Sequence, residues 1–256
     1  LLLLPRFKIN FHTYKLPELI KAGKTTQIQF DERNIILYIL IIVYYTDVIG
    51  EIMEKLDLMK TNKGFFKASA SETLFLELPP LPYLMIDGHG DPNTSQLYKD
   101  SIQALYSLAY TVKFAIRNDQ QKYDVRVMPL EGLWWTVDMN QFSAEKKDDW
   151  DWTMMILQPE LVTLKIFAES CKQVLKKKGL ILVEKIKLET YKEGLCAQIL
   201  HLGPYSAEKP TIDKMHAAIA EKGYQRSGKH HEIYLNSPLR TAPQKLKTII
   251  RQPVGK

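Results

Sequence analysis

Cysteine is scarce in this chain: Cys171 and Cys196 are the only two in 256 residues. They fall in different predicted elements, Cys171 on the apolar face of a helix and Cys196 in a strand. No Cys/His spacing suits a metal, so a disulfide-stapled or metal-organised scaffold is excluded and no cofactor is expected. Both thiols read as buried apolar residues of a reducing compartment, which points to the cytoplasm. Long apolar runs are also missing. Ile35 to Tyr45 is an unbroken run of eleven residues, well short of the ~20 that a spanning helix needs. It lies too far in, behind charged residues, for a signal peptide, so no stable membrane insertion is expected.

Charge of one sign is not concentrated. The net charge is +6, from 35 Lys and Arg against 29 Asp and Glu. The one basic run, Lys176-Lys177-Lys178 with Lys172 nearby, falls where a helix should end and faces the negative end of its dipole. No basic arm, zinc-finger spacing or RNP-type motif is present, which argues against a nucleic-acid partner. Gly88-His89-Gly90 is not a dinucleotide fingerprint, because Asn93 stands where the third glycine belongs. No phosphate loop, nucleophile elbow or Ser/His/Asp order appears.

Residues 1–52 differ in texture from the rest. The chain starts Leu-Leu-Leu-Leu, and regular patterning begins after Met53. The expectation is that Met53 is the natural start and that 1–52 is an upstream read-through or weakly ordered extension. Residues 53–78 read as a lead-in arm, and 79–256 as the folded domain.

Within that domain, Tyr83–Gly88 reads as a strand followed by a glycine turn. Tyr98, Ile102, Leu105, Ala109, Val112 and Ile116 step by three and four, so a long amphipathic helix follows, with Thr94 or Ser95 as cap. Tyr123–Pro129 reads as a strand, Leu130-Glu131-Gly132 as a turn, and Leu133–Val137 and Trp152–Leu157 as strands. A helix is expected over 159–178, started by Pro159 and ended by Gly179. Leu182–Thr190 and Leu195–Leu202 read as strands, and Gly203-Pro204-Tyr205 turns into a helix that carries Pro210, Ile212, Met215 and Ile219. His216 on that helix reads as surface or edge, and His89 as a turn residue that bonds backbone. The chain closes with a strand over Leu246–Arg251. Strand, glycine turn, helix, strand, strand thus occurs twice, about 115 residues apart. The predicted fold is α+β: two pseudo-symmetric β-α-β-β modules, about 79–157 and 182–256, joined by the helix over 159–178. They form an antiparallel sheet with helices on one face and a concave groove on the other.

The strand Lys229–Leu235 concentrates the chemistry. Alternation puts His231, Ile233 and Leu235 on one face, suited to packing under helices, and His230, Glu232 and Tyr234 on the other. Two adjacent histidines on opposite faces cannot grip one metal ion. A bare carboxylate in mid-strand is expensive to bury, so Glu232 meets either water or a partner. A solvated outer face and a ligand pocket both satisfy that condition.

The chain from about 53 to 256 resembles the GyrI-like (gyrase-inhibitor-like) small-molecule-binding proteins. The likeness is carried by Leu84–Asn93, Glu131-Gly132-Leu133-Trp134-Trp135, Trp152–Met155, His201–Tyr205, His231–Leu235 and the tail Lys245–Pro253. The double tryptophan and the Arg-Gln-Pro tail resemble a free-standing subgroup without a DNA-binding domain. The resemblance implies a groove in which Glu232 and surrounding aromatics bind flat, often cationic, molecules. Ligand-binding residues would then be Trp134, Trp135, Trp152, Tyr205, Glu232 and Tyr234. The subgroup also includes hydrolases of cyclopropane-bearing, DNA-alkylating toxins. For that activity Glu232 would orient water and Tyr234 would polarise a conjugated carbonyl, with Glu184 and Glu189 as rival carboxylates. Burial should raise the pKa of Glu232. Three functions therefore stand: a small-molecule binding module, a small-molecule hydrolase, and a groove for a peptide or protein.

Overall fold

The computed structural model describes residues 54–118, 123–139 and 146–256. The expectation for residues 1–52 lies outside these. In chain order the main elements are β1 (Glu54–Leu56), α1 (Leu58–Thr61), β2 (Leu74–Leu78), β3 (Leu81–His89), α2 (Gln96–Asn118), β4 (Tyr123–Val125), β5 (Leu130–Trp135) and β6 (Asp151–Leu157). They continue with α3 (Leu164–Lys178), β7 (Lys187–Tyr191), β8 (Gly194–Leu202), α4 (Lys209–Glu221), β9 (Gln225–Arg226), β10 (His230–Tyr234) and β11 (Lys247–Gly255).

The main sheet runs β2-β8-β11-β10-β5-β6-β3-β7, with β9 added on β11. Every ladder in it is antiparallel. The two-module plan holds: β3-α2-β5-β6 and β8-α4-β10-β11 are the halves, and they meet where β5 pairs with β10. The repeat is offset by 113 residues. It carries β2 onto β7, β3 onto β8, Gly90 onto Gly203, and the start of α2 onto the start of α4. Gly90 and Gly203 both have positive φ, at 99° and 132°. That conformation suits glycine and turns each strand toward its helix.

The sheet closes on itself. Only Pro79 and Pro80 separate β2 from β3, yet the two strands pair at opposite ends of the strand order. Their ladders share one register: three residues on from the Leu78–Gly194 pair comes Leu81–Tyr191. β2–β3 and β7–β8 are therefore two bent ribbons that pair along their length and join the ends of the sheet into a ring. Prolines at the bend leave no donor unpaired there.

Helices α2 and α4 pack on the outside of the ring. Ser95 Oγ caps α2 at the Tyr98 amide, and Ala104, Leu105, Leu108, Val112 and Ile116 bury against β3 and β6. Met215 and Ile219 of α4 cover Ala197, Ile199 and Ile250.

The ring interior holds a polar network. Arg251 donates to Glu193 (2.9 Å), Gln198 (2.9 Å) and the Phe65 carbonyl (2.7 Å). His231 bridges Glu193 at 2.8 Å and Glu131 at 3.0 Å. Burial pushes the Glu193 carboxyl up, but His231 and Arg251 outweigh it and hold the group down at about 2.

Closure corrects one expectation. The His231–Ile233 face points into the ring, and the Glu232 face is the one that carries the helices, because Glu232 pairs with Ile250, which packs under α4. These side chains therefore lie on the face that carries the helices, not on the face away from them.

Local readings also shift. Leu130-Glu131-Gly132 is strand, not turn, and Tyr123–Pro129 narrows to β4, paired in parallel with β1. Thr163, not Pro159, starts the linking helix, accepting from the Ile166 amide. Leu182–Thr190 divides into a 3-10 turn over Ile181–Lys185 and then β7. The closing strand runs on through Pro253 to Gly255, and the stretch read as a lead-in arm supplies β1, α1 and β2.

Candidate functional site

On the outer face of β10, alternation lines up His230, Glu232 and Tyr234. Glu232 accepts from the Tyr234 hydroxyl at 2.8 Å and meets His230 Nε2 at 3.1 Å. Its side chain is 14% exposed. Burial works to raise its pKa, but hydrogen bonds from His230 and Tyr234 hold it below the usual carboxylate value. The expected rise is thus reversed, because hydrogen bonds to the charged form outweigh desolvation. Tyr234 is itself committed. Its oxygen accepts from Trp134 Nε1 at 3.2 Å while its O–H goes to Glu232. Burial, with Glu232 beside it, pushes the phenol far above its ordinary value.

Aromatic rings stand round this carboxylate. Trp134 pairs with Tyr98 (centroids 5.9 Å apart) and Trp150 (5.5 Å), Tyr98 with Trp152 (5.2 Å), and Tyr234 with Tyr205 (5.5 Å). Tyr98 comes from α2, Tyr205 from the turn before α4 and Trp150 from the approach to β6. Tyr205 is 38% exposed and is the outermost of these rings toward solvent on the β10 side, whereas Trp152 is fully buried behind Tyr98. Lys147 lies 5.5 Å from the Trp150 ring.

The structure separates the two neighbouring tryptophans. Trp134 pairs with His230 and shares the outer face. Trp135 points the other way and is covered by Lys229 Nζ, 3.2 Å from its ring centre. Glu184 and Glu189, the rival carboxylates, are exposed on the 3-10 turn and β7. His89 bonds the Asp151 side chain at 2.9 Å rather than backbone. His216 is half-buried beside Arg226, and burial lowers its pKa to about 4.

Glu208 is the residue that sequence reasoning missed. It directly precedes α4 and is buried, and burial followed by the charge of Glu232 pushes its carboxyl up to about 9. Glu232 is thus held down while Glu208 is pushed up, the kind of divergence by which acid and base roles divide. A charged residue at the start of a helix ordinarily reads as a surface residue, so only its neighbours disclose it.

Among the described residues no three His, Cys, Asp or Glu side chains converge on a metal position. No helix among them is long and apolar enough to cross a membrane. A separate hollow of about 350 Å³ lies by Leu56, Leu58, Leu81, Leu157 and Leu161. Gln158 is the buried polar residue of its lining, and its amide is already given to the Ile156 and Leu157 carbonyls.

Residues 71–254 match the family described as the GyrI-like small molecule binding domain. Three solved structures from Listeria innocua are similar along their whole length. An uncharacterized conserved protein is 34% identical, with TM-score 0.73, covering 78% of this chain and 100% of its own. Two structures described as hydrolases are each 33% identical, with TM-scores 0.69 and 0.72, covering 78% and 79% of this chain and 100% of their own. No curated protein matches. With its two β-α-β-β halves, and a match spanning most of the chain, the protein belongs to the GyrI-like family of small-molecule-binding domains.

Proposed function

We propose that the outer pocket binds a flat, largely apolar small molecule that carries positive charge, held among Tyr98, Trp134, Trp150 and Tyr205 with Glu232 at its base. The observation that carries this reading is a nearly buried carboxylate kept ionised by two side-chain partners and walled by rings. Burying an ion is unfavourable by several kcal/mol unless it is paired. A cationic ligand would place a permanent positive charge beside that carboxylate, and each cation–π contact would add about 0.5–2 kcal/mol. Trp152 would back the wall through Tyr98, and Tyr234 would hold Glu232 in position. The test is quenching of tryptophan fluorescence in the full chain by a flat cation and by a neutral compound of the same shape. Glu232→Gln should weaken the cation about tenfold or more, the loss of one charge pairing, and leave the neutral compound unchanged. Equal effects on both would refute the reading.

A second reading, hydrolysis, is favoured by the ionised state of Glu232 together with the hydrolase descriptions of two structures at 33% identity. The substrate class would be a conjugated ketone bearing a strained cyclopropane ring. The water oxygen would bond to a ring carbon as the ring C–C bond breaks, its electron pair moving into the carbonyl, while Glu232 takes the proton from water. Mass spectrometry would show addition of one water, and Glu232→Gln would lower turnover about a hundredfold.

A further inference from the structure

Glu208 occupies a position where a side chain would ordinarily cap a helix. It is the residue before α4, yet it makes no cap hydrogen bond. A carboxylate there would ordinarily gain from the positive end of the helix dipole. Instead the side chain is 6% exposed and lies against Thr248 and Glu232. Glu208 Oε1 and Thr248 Oγ1 are both buried without a hydrogen-bond partner. Thr248 sits opposite Tyr234 in the β10–β11 ladder. Glu208 therefore enters the pocket from the helix side, and Glu232 from the sheet side.

Two carboxyls placed together in a buried setting do not both ionise at neutral pH. Tyr234 and His230 serve Glu232, and neither serves Glu208. We propose that Glu208 is the acid of the pocket: it and Glu232 hold one proton between them, Glu208 as the neutral donor and Glu232 as the base. The donor role rests on the reading that this pocket is the ligand site.

The groups facing Glu208 are consistent with this assignment. Glu232 repels a second charge, and Lys147 attracts one more weakly. Tyr205 is pushed up to about 12 by burial, and Tyr234 is also raised, so neither competes for the proton near neutrality. Lys209, the next residue, is held by Asp213 at 2.7 Å. Tyr234 was the donor expected from sequence, but its O–H is already given to Glu232.

The pair has a chemical use in ring-opening hydrolysis. As water bonds to the ring carbon and the C–C bond breaks, the electron pair arriving at the carbonyl oxygen takes the proton of Glu208. Glu232 takes the proton that the water loses. Transfer of that proton from Glu232 to Glu208 restores the starting state, and the net change is addition of one water.

Infrared difference spectroscopy of the full chain without ligand tests the pair directly. Wild type minus Glu208→Gln should show a protonated-carboxyl C=O band at pH 7 that fades as pH rises through about 9. Absence of that band at pH 7 overturns the proposal whether or not any compound binds. Ethidium, whose charge does not change between pH 7 and 10, supplies the second arm. Wild type should gain about tenfold or more in affinity over that range as the second carboxylate forms, whereas Glu208→Gln should gain nothing between pH 7 and 10. A gain shared by both proteins overturns the proposal. The infrared band with no ethidium binding supports the proton pair and overturns the ligand reading.

Discussion

Gly88 and Trp152 face each other across the β3–β6 ladder, and the indole lies where a side chain on residue 88 would be. A Cβ there would overlap the six-membered ring. Gly132 makes room in the same way on β5, where a Cβ would lie 2.8 Å from Trp134 Nε1 and 3.2 Å from the Tyr234 hydroxyl. Neither glycine has positive φ, so space rather than backbone freedom explains both. Two strand glycines thus clear the floor on which the aromatic cluster stands.

Gly88→Ala should force the Trp152 ring out of its place beneath Tyr98. Overpacking of this kind destabilises by about 1–3 kcal/mol. Chemical denaturation should show a lower midpoint, with a changed near-ultraviolet dichroism signal from the displaced indole. An unchanged midpoint and spectrum would contradict the packing described.

Trp134 and Trp135 should separate cleanly by function. Trp134→Phe removes the N–H given to Tyr234 and part of the pocket wall, so cation binding should fall about tenfold, within the range of one lost cation–π or hydrogen-bond contact. Trp135→Phe acts on the opposite face, under Lys229, and should leave affinity unchanged. Fluorescence titration of both variants decides; equal losses would mean the faces are misassigned.

Tyr234→Phe should act through Glu232. Loss of the hydroxyl takes the donor from Glu232 Oε2 and the acceptor from Trp134 Nε1, which should destabilise the fold by about 1–3 kcal/mol. It also removes one of the hydrogen bonds that hold the Glu232 carboxyl down. Cation binding needs the ionised form, so on acidification the variant should lose binding at a higher pH than wild type. Titrations across pH 4 to 8 would show the shift or its absence.

The ring interior predicts the pH profile of stability. Glu193 has a folded pKa of about 2 against an ordinary 4.5, so its contribution is present above pH 4.5 and is lost as pH falls toward 2. Burial disfavours charge on His231, but Glu193 and Glu131 outweigh it and raise its pKa above 6.5. Its contribution is present below pH 6.5 and is lost as pH rises through the raised value. Both contributions coincide between pH 4.5 and 6.5, where Tm should peak. Glu193→Gln should remove the acid limb and destabilise by about 3–5 kcal/mol, the cost of leaving Arg251 buried and unpaired. A wild-type Tm that stays flat from pH 6 to 2 would contradict this account.

The sequence alone determined what depends on near neighbours. The step of three and four from Tyr98 to Ile116, the period of two in β10 and the paired glycine turns at Gly90 and Gly203 are short-range patterns, so helix, strand and repeat were legible. Glu232 with Tyr234 was legible for the same reason, through alternation and the family likeness, but which of Trp134 and Trp135 stands beside them was not, because that depends on how β5 pairs with β10. Closure of the sheet was not, because it depends on β2 and β7 each pairing with the first strand of the other half. Closure buries both faces of β10, so alternation could separate the faces but could not say which lies under the helices. Gly132 read as a turn because only the rings above it explain a glycine in mid-strand. Glu208 read as a surface charge because its neighbours, Glu232 and Thr248, are far away along the chain. Burial and the field of a second carboxylate set its protonation, and tertiary structure alone brings those together.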